Sequence, residues 1–363
     1  MKKIIDSYIA SGDSYEKLGL KKEPALWEDG FRTGGAEGTY EWWYFDAHFG
    51  DGTKVVIVFY TKRMMTPGAP LSPYVTIDLD TADGLHLEER VETRDITFSA
   101  AKDGCLVRLG DSYIIREESG LLRVRYSDKT ITVDAVLKPS LPFWRPETGH
   151  IFFGERDYFA WLPSVPAGAA DVTISLNGKV SEHKGGTGYH DHNWGNKPMN
   201  KLMNHWYWGR AEVGRYNVIS SYITGEKAYG YNEYPIFMLA KDGKILADDG
   251  NKLKFTAAEE FIEEVTGKPV HGKLIYDYTD GNTRYTVTYK REKSLINFKM
   301  IEQLKGIVKL GAKLIGFSGA YHRFSGSVSV ERYENGVKTD EASASAVWEL
   351  MYFGKTPKSE NKE

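Results

Sequence analysis

The segment GTGYHDHNWG, Gly186 to Gly195, holds more potentially reactive side chains than any other stretch of this chain. Side chains alternate between the two faces of a β-strand. A strand here would present two sets of groups, His190, His192 and Trp194 on one face and Tyr189, Asp191 and Asn193 on the other. Groups of these types can transfer protons, ligate a metal or join neighbouring strands.

A second segment, EWWYFDAH, places ionisable groups among aromatic residues. Alternation puts Trp42, Tyr44 and Asp46 on one face and Glu41 on the other. Burying an unpaired carboxylate is costly, so Glu41 or Asp46 must meet a histidine, an arginine or backbone N–H groups. The segment is therefore either part of a catalytic site or a structural clamp made by a buried ion pair.

The pair His190 and His192 has the spacing of two metal ligands, because imidazoles two residues apart on a strand point the same way. His183 or His205 would be needed as a third ligand, and no carboxylate follows His192 before Glu212. We therefore predict no metal site. The sequence also lacks the G-x-S-x-G and Walker-type motifs, and we predict that the chain uses no cofactor.

Composition narrows the class of protein. A net charge of -3 over 363 residues gives no basic surface of the kind that nucleic-acid binding needs. A single cysteine, Cys105, cannot form an internal disulfide, which favours a reducing compartment. The first residues lack the apolar core of a cleaved signal, and no apolar run is long enough to span a bilayer. We therefore expect a cytoplasmic protein, and its 13% of aromatic residues favours β-structure and apolar ligands.

Tight-turn signals recur along the chain and predict antiparallel β-structure. Asp-Gly and Asn-Gly pairs, such as Asn177-Gly178 and Asn335-Gly336, separate strand-like runs such as Lys54 to Tyr60. The proline-bearing stretch Leu162 to Gly168 is predicted to be a loop, since proline cannot donate to a central ladder. We predict four parts in chain order, a helical N-terminal segment at 1–25, a β-domain at 26–197, a second β-domain at 198–354 and a disordered tail at 355–363.

The pattern changes to helical spacing between residues 295 and 317. Apolar residues fall within one arc of a helix, and Lys305, Lys309 and Lys313 fall opposite. This predicts a basic amphipathic helix inserted in the second β-domain. It either packs on that domain or acts as a lid or as a helix in peripheral contact with a membrane surface.

Together these motifs resemble the AttH-like family. EWWYFDAH precedes GYHDHNWG, and HWYWGRAE (His205 to Glu212) and Tyr321 to Phe324 follow. The family includes carotenoid 1,2-hydratases, also called hydroxyneurosporene synthases, as well as fungal Diels-Alderases and kievitone hydratase. The resemblance implies an all-β fold of two tandem lipocalin-like (calycin) antiparallel β-barrels with a hydrophobic ligand pocket.

The resemblance also implies two kinds of chemistry. A hydratase protonates an alkene with a carboxylic acid and adds water, whereas a pericyclic enzyme folds a polyene into a reactive shape. His192 and Trp194 match the hydratase motif. The acidic residue that carotenoid hydratases carry on the following strand has no counterpart between Tyr216 and Thr224, which leaves Asp191 or Asp46 as the acid, or no acid at all.

We therefore predict an enzyme that isomerises, cyclises or hydrates a hydrophobic polyene, isoprenoid or polyketide-like small molecule without a redox cofactor. The alternative is a non-catalytic lipocalin-type carrier of an apolar ligand, in which His190 to Trp194 form only a structural joint. The predicted catalytic residues are Asp191, His192, His190, Asp46 and Glu41. The predicted substrate-binding residues are Trp42, Tyr44, Trp194, Asn193, Trp206, Trp208, Arg210 and Tyr222.

Overall fold

The computed structural model describes residues 3–99, 104–304, 309–310 and 317–356. The chain divides into two compact units, Ile9–Pro198 and a second one that joins Met199–Glu363 with Met1–Tyr8. Most of the predicted tail, 357–363, lies outside the described residues. None of the helices in the described ranges combines the length and the apolar character that crossing a membrane requires.

The N-terminal segment is less helical than its sequence pattern predicts. It contains strand β1 (Ser7–Ile9), the one-turn helix α1 (Ser14–Lys17) and a 3-10 helix at Leu26–Asp29. Ile4, Ile5, Tyr8 and Ile9 repeat at helical spacing, but the helix that this spacing predicts is wrong, because Ser7–Ile9 is a strand and the next residue, Ala10, donates its N–H to His150 O at 2.8 Å. Four apolar residues at helical spacing do not nucleate a helix where strand partners are available.

The first unit is built on a long antiparallel sheet. Its strands are β2 (Tyr40–His48), β3 (Lys54–Tyr60), β4 (Tyr74–Asp80), β5 (His86–Glu92), β6 (Ile96–Phe98), β7 (Leu106–Leu109), β8 (Ser112–Arg116), β9 (Leu122–Ser127), β10 (Ile131–Pro139), β11 (His150–Phe153), β12 (Asp157–Leu176) and β13 (Lys179–Gly195). The strand order is β5-β4-β3-β2-β13-β12-β10-β9-β8-β7-β6, and β11 pairs with β12. The segment GTGYHDHNWG on β13 therefore lies between EWWYFDAH on β2 and strand β12.

The second unit is built on a nine-stranded antiparallel sheet. It follows the short helix α2 (Met199–Leu202) and consists of β14 (Met203–Val213), β15 (Tyr216–Gly225), β16 (Glu233–Lys241), β17 (Lys244–Ala247), β18 (Leu253–Ile262), β19 (Pro269–Asp280), β20 (Thr283–Lys299), β21 (Ala320–Glu334) and β22 (Val337–Tyr352), with 3-10 turns at Lys227–Tyr229, Gly250–Lys252 and Met300–Glu302. The strand order is β17-β16-β15-β14-β22-β21-β20-β19-β18. The aromatic segment HWYWGRAE lies on β14, between β15 and β22.

The predicted turns form the hairpins of both sheets. Asn177 and Gly178 have φ angles of 50° and 81° and join β12 to β13, and Asn335 and Gly336 have φ angles of 50° and 79° and join β21 to β22. Two consecutive residues with positive φ match the right-handed twist of the strands that they connect. The all-β prediction is confirmed.

The proline-bearing stretch at Leu162 to Gly168 is not a loop, contrary to prediction. It lies inside β12, where Leu162, Val165 and Gly168 pair with β13 and the register shifts between them. These bulges leave Pro163 and Pro166 outside the ladder, so neither ring displaces a required N–H donor.

The helix predicted over 295–317 is wrong for its first part. Residues 295–299 continue β20, which pairs with β21 as far as Lys299 opposite Ala320, and Met300–Glu302 is a 3-10 turn. The ladder supplies the backbone with partners, and Asn297 faces the core, where it hydrogen-bonds to His322 at 3.0 Å. Residues 305–308 and 311–316 of the predicted helix lie outside the described residues.

Each sheet packs one face into an apolar core, which we call the core face, and the opposite side is the outer face. In the first unit Trp43, Phe45 and Ala47 of β2 lie on the core face. In the second unit Tyr207 of β14 and Leu350 of β22 do so. Ionisable side chains on the core face therefore need partners.

Candidate functional site

The histidine-rich segment of β13 has the alternation that its sequence predicts. In the ladder with β2, His190 is opposite Phe45, Asp191 opposite Tyr44 and His192 opposite Trp43. Because Phe45 and Trp43 belong to the core cluster, the two histidines lie on the core face. Asp191 lies on the outer face, so the segment contributes to two separate constellations.

His190 belongs to a buried ion-pair network. Its Nε2 is 3.1 Å from Asp29 Oδ1, and its Nδ1 donates to Tyr44 O at 2.8 Å. Arg116 Nη2 and Ser164 Oγ donate to Asp29 Oδ2 at 3.0 and 2.8 Å. Burial alone would raise the pKa of Asp29, but His190 and Arg116 hold it well below its ordinary value. Asp29 thus ties the 3-10 helix at Leu26–Asp29 to β8, β12 and β13, and His190 extends the network to β2.

Asp29, Cys105 and His190 bring three potential metal-ligand atoms within 4.8 Å of one another. Arg116 already supplies the cation that Asp29 binds. Burial raises the pKa of the Cys105 thiol well above its ordinary value, so the sulfur stays protonated. A neutral thiol and a carboxylate held by a guanidinium form a poor donor set for a metal, and the cluster fits a structural network instead.

His192 and Glu41 form a second buried pair on the core face. His192 Nε2 is 2.8 Å from Glu41 Oε2, and both side chains are fully enclosed. Glu41 also accepts the backbone N–H groups of Arg32 and Thr33. The His192 ring stacks on Trp43 with 4.5 Å between ring centroids. These contacts have the form of the buried ion pair that a structural clamp requires.

Asp191 has the chemistry that an acid needs. It is 6% exposed, and its carboxyl accepts three hydrogen bonds from uncharged donors. Trp161 Nε1 and Tyr189 OH each donate to Oδ2 at 2.7 Å, and Asn193 Nδ2 donates to Oδ1 at 2.7 Å. Burial raises the pKa of Asp191 to about 6, although these donors oppose the rise. The carboxyl can therefore hold a proton close to neutral pH. Oδ2 accepts two of the three hydrogen bonds and Oδ1 accepts one, so Oδ1 has more room for the proton.

This raised pKa predicts a characteristic dependence of stability on pH. Below the unfolded pKa of about 3.9 Asp191 is protonated in both states, and its contribution to stability is then lost as the pH rises through about 6. The loss amounts to about 3 kcal/mol for two pKa units. Between pH 4 and pH 7 the free energy of unfolding of the wild type should therefore fall by about that amount relative to Asp191→Asn. Urea unfolding of both proteins at the two pH values measures this. Identical pH dependence in variant and wild type would contradict the raised pKa.

The remaining predicted residues of the first unit fall on both faces. Tyr44 is opposite Asp191 on the outer face, and its OH donates to Asp46 Oδ2 at 3.1 Å. Trp42, on the same face, stacks on Phe159 at 5.9 Å. Trp194 instead lies against His192 on the core face, with 4.7 Å between ring centroids. The outer face thus combines Asp191 and Asp46 with aromatic rings.

The predicted residues of the second unit are also divided between faces. Trp206, Trp208 and Arg210 alternate with the core residue Tyr207, so they lie on the outer face of β14. Tyr222 is opposite Tyr207 and stacks on Phe255 at 3.9 Å. The structure therefore separates Tyr222 from the other three, because the backbone of the sheet lies between them.

Two important residues escaped sequence reasoning. Trp161, whose indole N–H binds Asp191, directly precedes the proline-bearing stretch that was predicted to be a loop. Asp29 lies in a 3-10 helix far from His190 in sequence. Two adjacent acids, Glu28 and Asp29, between the aromatic residues Trp27 and Phe31 were an available signal, since carboxylates in apolar surroundings require partners.

Comparison with known sequences gives matches over large parts of the chain. A sequence model of the Diels-Alderase-like family matches residues 130–302. A hydroxyneurosporene dehydrogenase of Chlorobaculum tepidum is 25% identical over 66% of this chain and 70% of its own length. The quinolone epoxide rearrangement protein penF of Penicillium thymicola is 33% identical over 23% of this chain and 22% of its own length.

Solved structures share the fold. CghA, crystallised with Sch210972, has a TM-score of 0.61 at 13% identity and covers 88% of this chain and 89% of its own. A putative AttH from Nitrosomonas europaea has a TM-score of 0.58 at 17% identity over 96% and 100% of the two chains. Kievitone hydratase from Nectria haematococca has a TM-score of 0.54 at 11% identity over 97% and 98%. These similarities confirm the predicted fold class.

The sequence relatives that are named for epoxide rearrangement are enzymes. The sequence similarity to the Diels-Alderase-like family and to quinolone epoxide rearrangement proteins confirms the prediction of an enzyme, with a cyclase or isomerase type of role. The shared sequence and fold also confirm the predicted resemblance to the AttH-like family.

Proposed function

We propose that this chain isomerises, cyclises or hydrates a hydrophobic polyene, isoprenoid or polyketide-like small molecule, with Asp191 as the general acid. The observation that carries the proposal is the buried Asp191 carboxyl, whose pKa is raised to about 6 and whose Oδ1 accepts one hydrogen bond, from Asn193. A carboxyl of this kind is protonated often enough near neutral pH to donate to a weakly basic substrate.

The chemical step is a proton transfer. Asp191 delivers its proton to a double-bond carbon, or to an epoxide oxygen whose C–O bond then breaks. The transfer leaves a carboxylate on Asp191 and a carbocation on the substrate. The cation then loses a proton, which completes an isomerisation. Alternatively it first closes a ring or adds water and then loses a proton, which completes a cyclisation or a hydration. The released proton restores Asp191, so the reaction requires no oxidant or reductant.

The aromatic surroundings of Asp191 support a cationic path. Trp161 and Tyr189 hold the carboxyl, and the Tyr44 ring lies edge-on to Tyr189 at 6.1 Å. Aromatic faces stabilise positive charge. Apolar rings also exclude water, which would otherwise solvate the carboxylate and return the pKa of Asp191 toward its ordinary value. The names of the relatives, which include an epoxide rearrangement and a hydratase, support the same chemistry.

The proposal is tested with purified protein, an acyclic carotenoid, a quinolone epoxide and a linear polyketide polyene. Mass spectrometry separates products of unchanged mass, from isomerisation or cyclisation, from products that have gained one water. For a turned-over substrate, kcat/KM should be constant below pH 6 and fall tenfold per pH unit above it, because the acid must be protonated. A rate that instead rises above pH 6 would show Asp191 acting as a base.

The carrier alternative gives a different result. A carrier would bind one of these molecules reversibly and return it unchanged at every pH. Binding without turnover across the whole panel, followed by the same result for the molecule that copurifies with the protein, would replace the proposed activity by ligand transport.

A further inference from the structure

The outer face of the second unit carries a carboxyl that the proposed reaction does not use. Glu349 of β22 is opposite Trp208 of β14 and opposite Arg323 of β21. Trp208 is in turn opposite Ser221 of β15. Glu349, Trp208 and Ser221 therefore lie in one row across three strands. Ser221 belongs to β15, whose sequence contains no carboxylate.

Two aromatic donors hold Glu349. Trp206 Nε1 donates to Oε1 at 3.3 Å, and Tyr321 OH donates to Oε2 at 2.9 Å. Asp191 in the first unit is bound by the same pair of donor types, one indole N–H and one phenol O–H. Burial raises the pKa of Glu349, and Arg323 opposes that rise.

The free hydrogen-bonding capacity of Glu349 defines what it can recognise. An ionised carboxylate offers about four acceptor positions, and the two aromatic donors fill one on each oxygen. The Glu349 side chain is half-buried, so bulk water does not reach all of its remaining acceptor positions. Acceptors flanked by aromatic rings favour a ligand that brings its own O–H or N–H donor, and the charge of Arg323 favours the ionised carboxylate as the acceptor.

The surface around Glu349 is suited to an apolar molecule. Trp206 packs edge-on against Phe353 at 4.8 Å, and Tyr321 packs against Phe298 at 5.6 Å. These four rings surround the carboxyl with apolar side chains. A hydrocarbon body with one hydroxyl group would match both the rings and the carboxyl.

We propose that Glu349, Trp206 and Tyr321 form a recognition site for the hydroxyl group of an apolar, isoprenoid-like ligand. The hydroxyl donates to the Glu349 carboxylate while the hydrocarbon body lies on the aromatic rings. The site rests on the proposed function only for the apolar class of the ligand, and its role is selection between hydroxylated and unhydroxylated molecules rather than proton transfer to carbon.

The test compares farnesol with farnesene, which share an isoprenoid body and differ in the hydroxyl group. Dissociation constants are measured with the full chain by quenching of tryptophan fluorescence. Wild-type protein should bind farnesol at least tenfold more tightly, and Glu349→Gln should weaken farnesol binding by about tenfold to a hundredfold, the range for a hydrogen bond to a charged group. Farnesene binding should not change.

Glu341→Gln is the matched control, because Glu341 lies on the same strand with its side chain 65% exposed. Glu349→Asp, which keeps the charge on a shorter side chain, should retain part of the preference and guards against a folding defect in Glu349→Gln. Equal binding of the two probes by wild type, or equal loss of both in a folded Glu349→Gln, would overturn the proposal. Asp191→Asn should keep the preference for farnesol, so loss of turnover and loss of selection are separate outcomes.

Discussion

Asp191→Asn is expected to lower kcat by about 10²-fold to 10⁴-fold while leaving substrate affinity nearly unchanged. The acid is removed, but the shape of the site is kept. The asparagine oxygen can still accept from Trp161 and Tyr189, which both donate to Oδ2 in the native protein. Its amide nitrogen would face Asn193, whose own amide can rotate to present its oxygen.

The measurement is single-turnover kinetics together with a binding titration on each variant. Asp134→Asn serves as the control, because Asp134 belongs to the same sheet but forms a half-exposed ion pair with Arg125. A variant at position 191 with native kcat would remove Asp191 from the reaction. A parallel loss of affinity and kcat would assign it to substrate binding instead.

Asp29→Asn is expected to cause the largest loss of stability, about 3–5 kcal/mol, because it leaves the buried Arg116 guanidinium without an anion. The side chain of Asp29 is fully enclosed and accepts from Arg116 and Ser164 while facing His190. Asparagine has nearly the same volume, so the loss arises from charge rather than from a cavity.

Urea unfolding at pH 7 measures this loss, and the Arg125–Asp134 pair again supplies the comparison. Asp134→Asn breaks a solvent-screened ion pair and should change the free energy of unfolding by less than about 1 kcal/mol. Equal changes in the free energy of unfolding for the two substitutions would show that the buried Asp29 network contributes no more to stability than an exposed ion pair. Because the pKa of Asp29 is lowered in the fold, its contribution is present above the unfolded pKa of about 3.9 and is lost only in stronger acid.

The architecture was predictable wherever short-range signals determine it. Asn177-Gly178 and Asn335-Gly336 mark hairpins because their backbone conformations are local properties, and the run from Lys54 to Tyr60 is β3. The stretch around Pro163 was misjudged, because bulges depend on the neighbouring strand rather than on the residue itself. The start of the predicted amphipathic helix failed for a similar reason, since pairing with β21 outweighs its helical spacing.

The candidate site was predictable only in part. Alternation along β13 gave the correct separation of His190 and His192 from Asp191. It could not identify Asp29 as the partner of His190, or Trp161 as a donor to Asp191, because long-range contacts leave no spacing rule in the sequence. Both Asp29 and Asp191 are buried, and the charged partners of Asp29 keep it ionised while the uncharged donors around Asp191 allow it to hold a proton. These partners are brought together only in the folded chain.

The pairing of His190 and His192 with buried carboxylates also helps to determine the register between β13 and β2. A slip of one residue between β13 and β2 would turn both histidines toward the outer face and Asp191 toward the core. Asp29 and Glu41 would then be enclosed without the rings that face them now. Misaligned chains are thus penalised electrostatically during folding, and substitutions on the outer face can vary the chemistry around Asp191 without disturbing strand alignment.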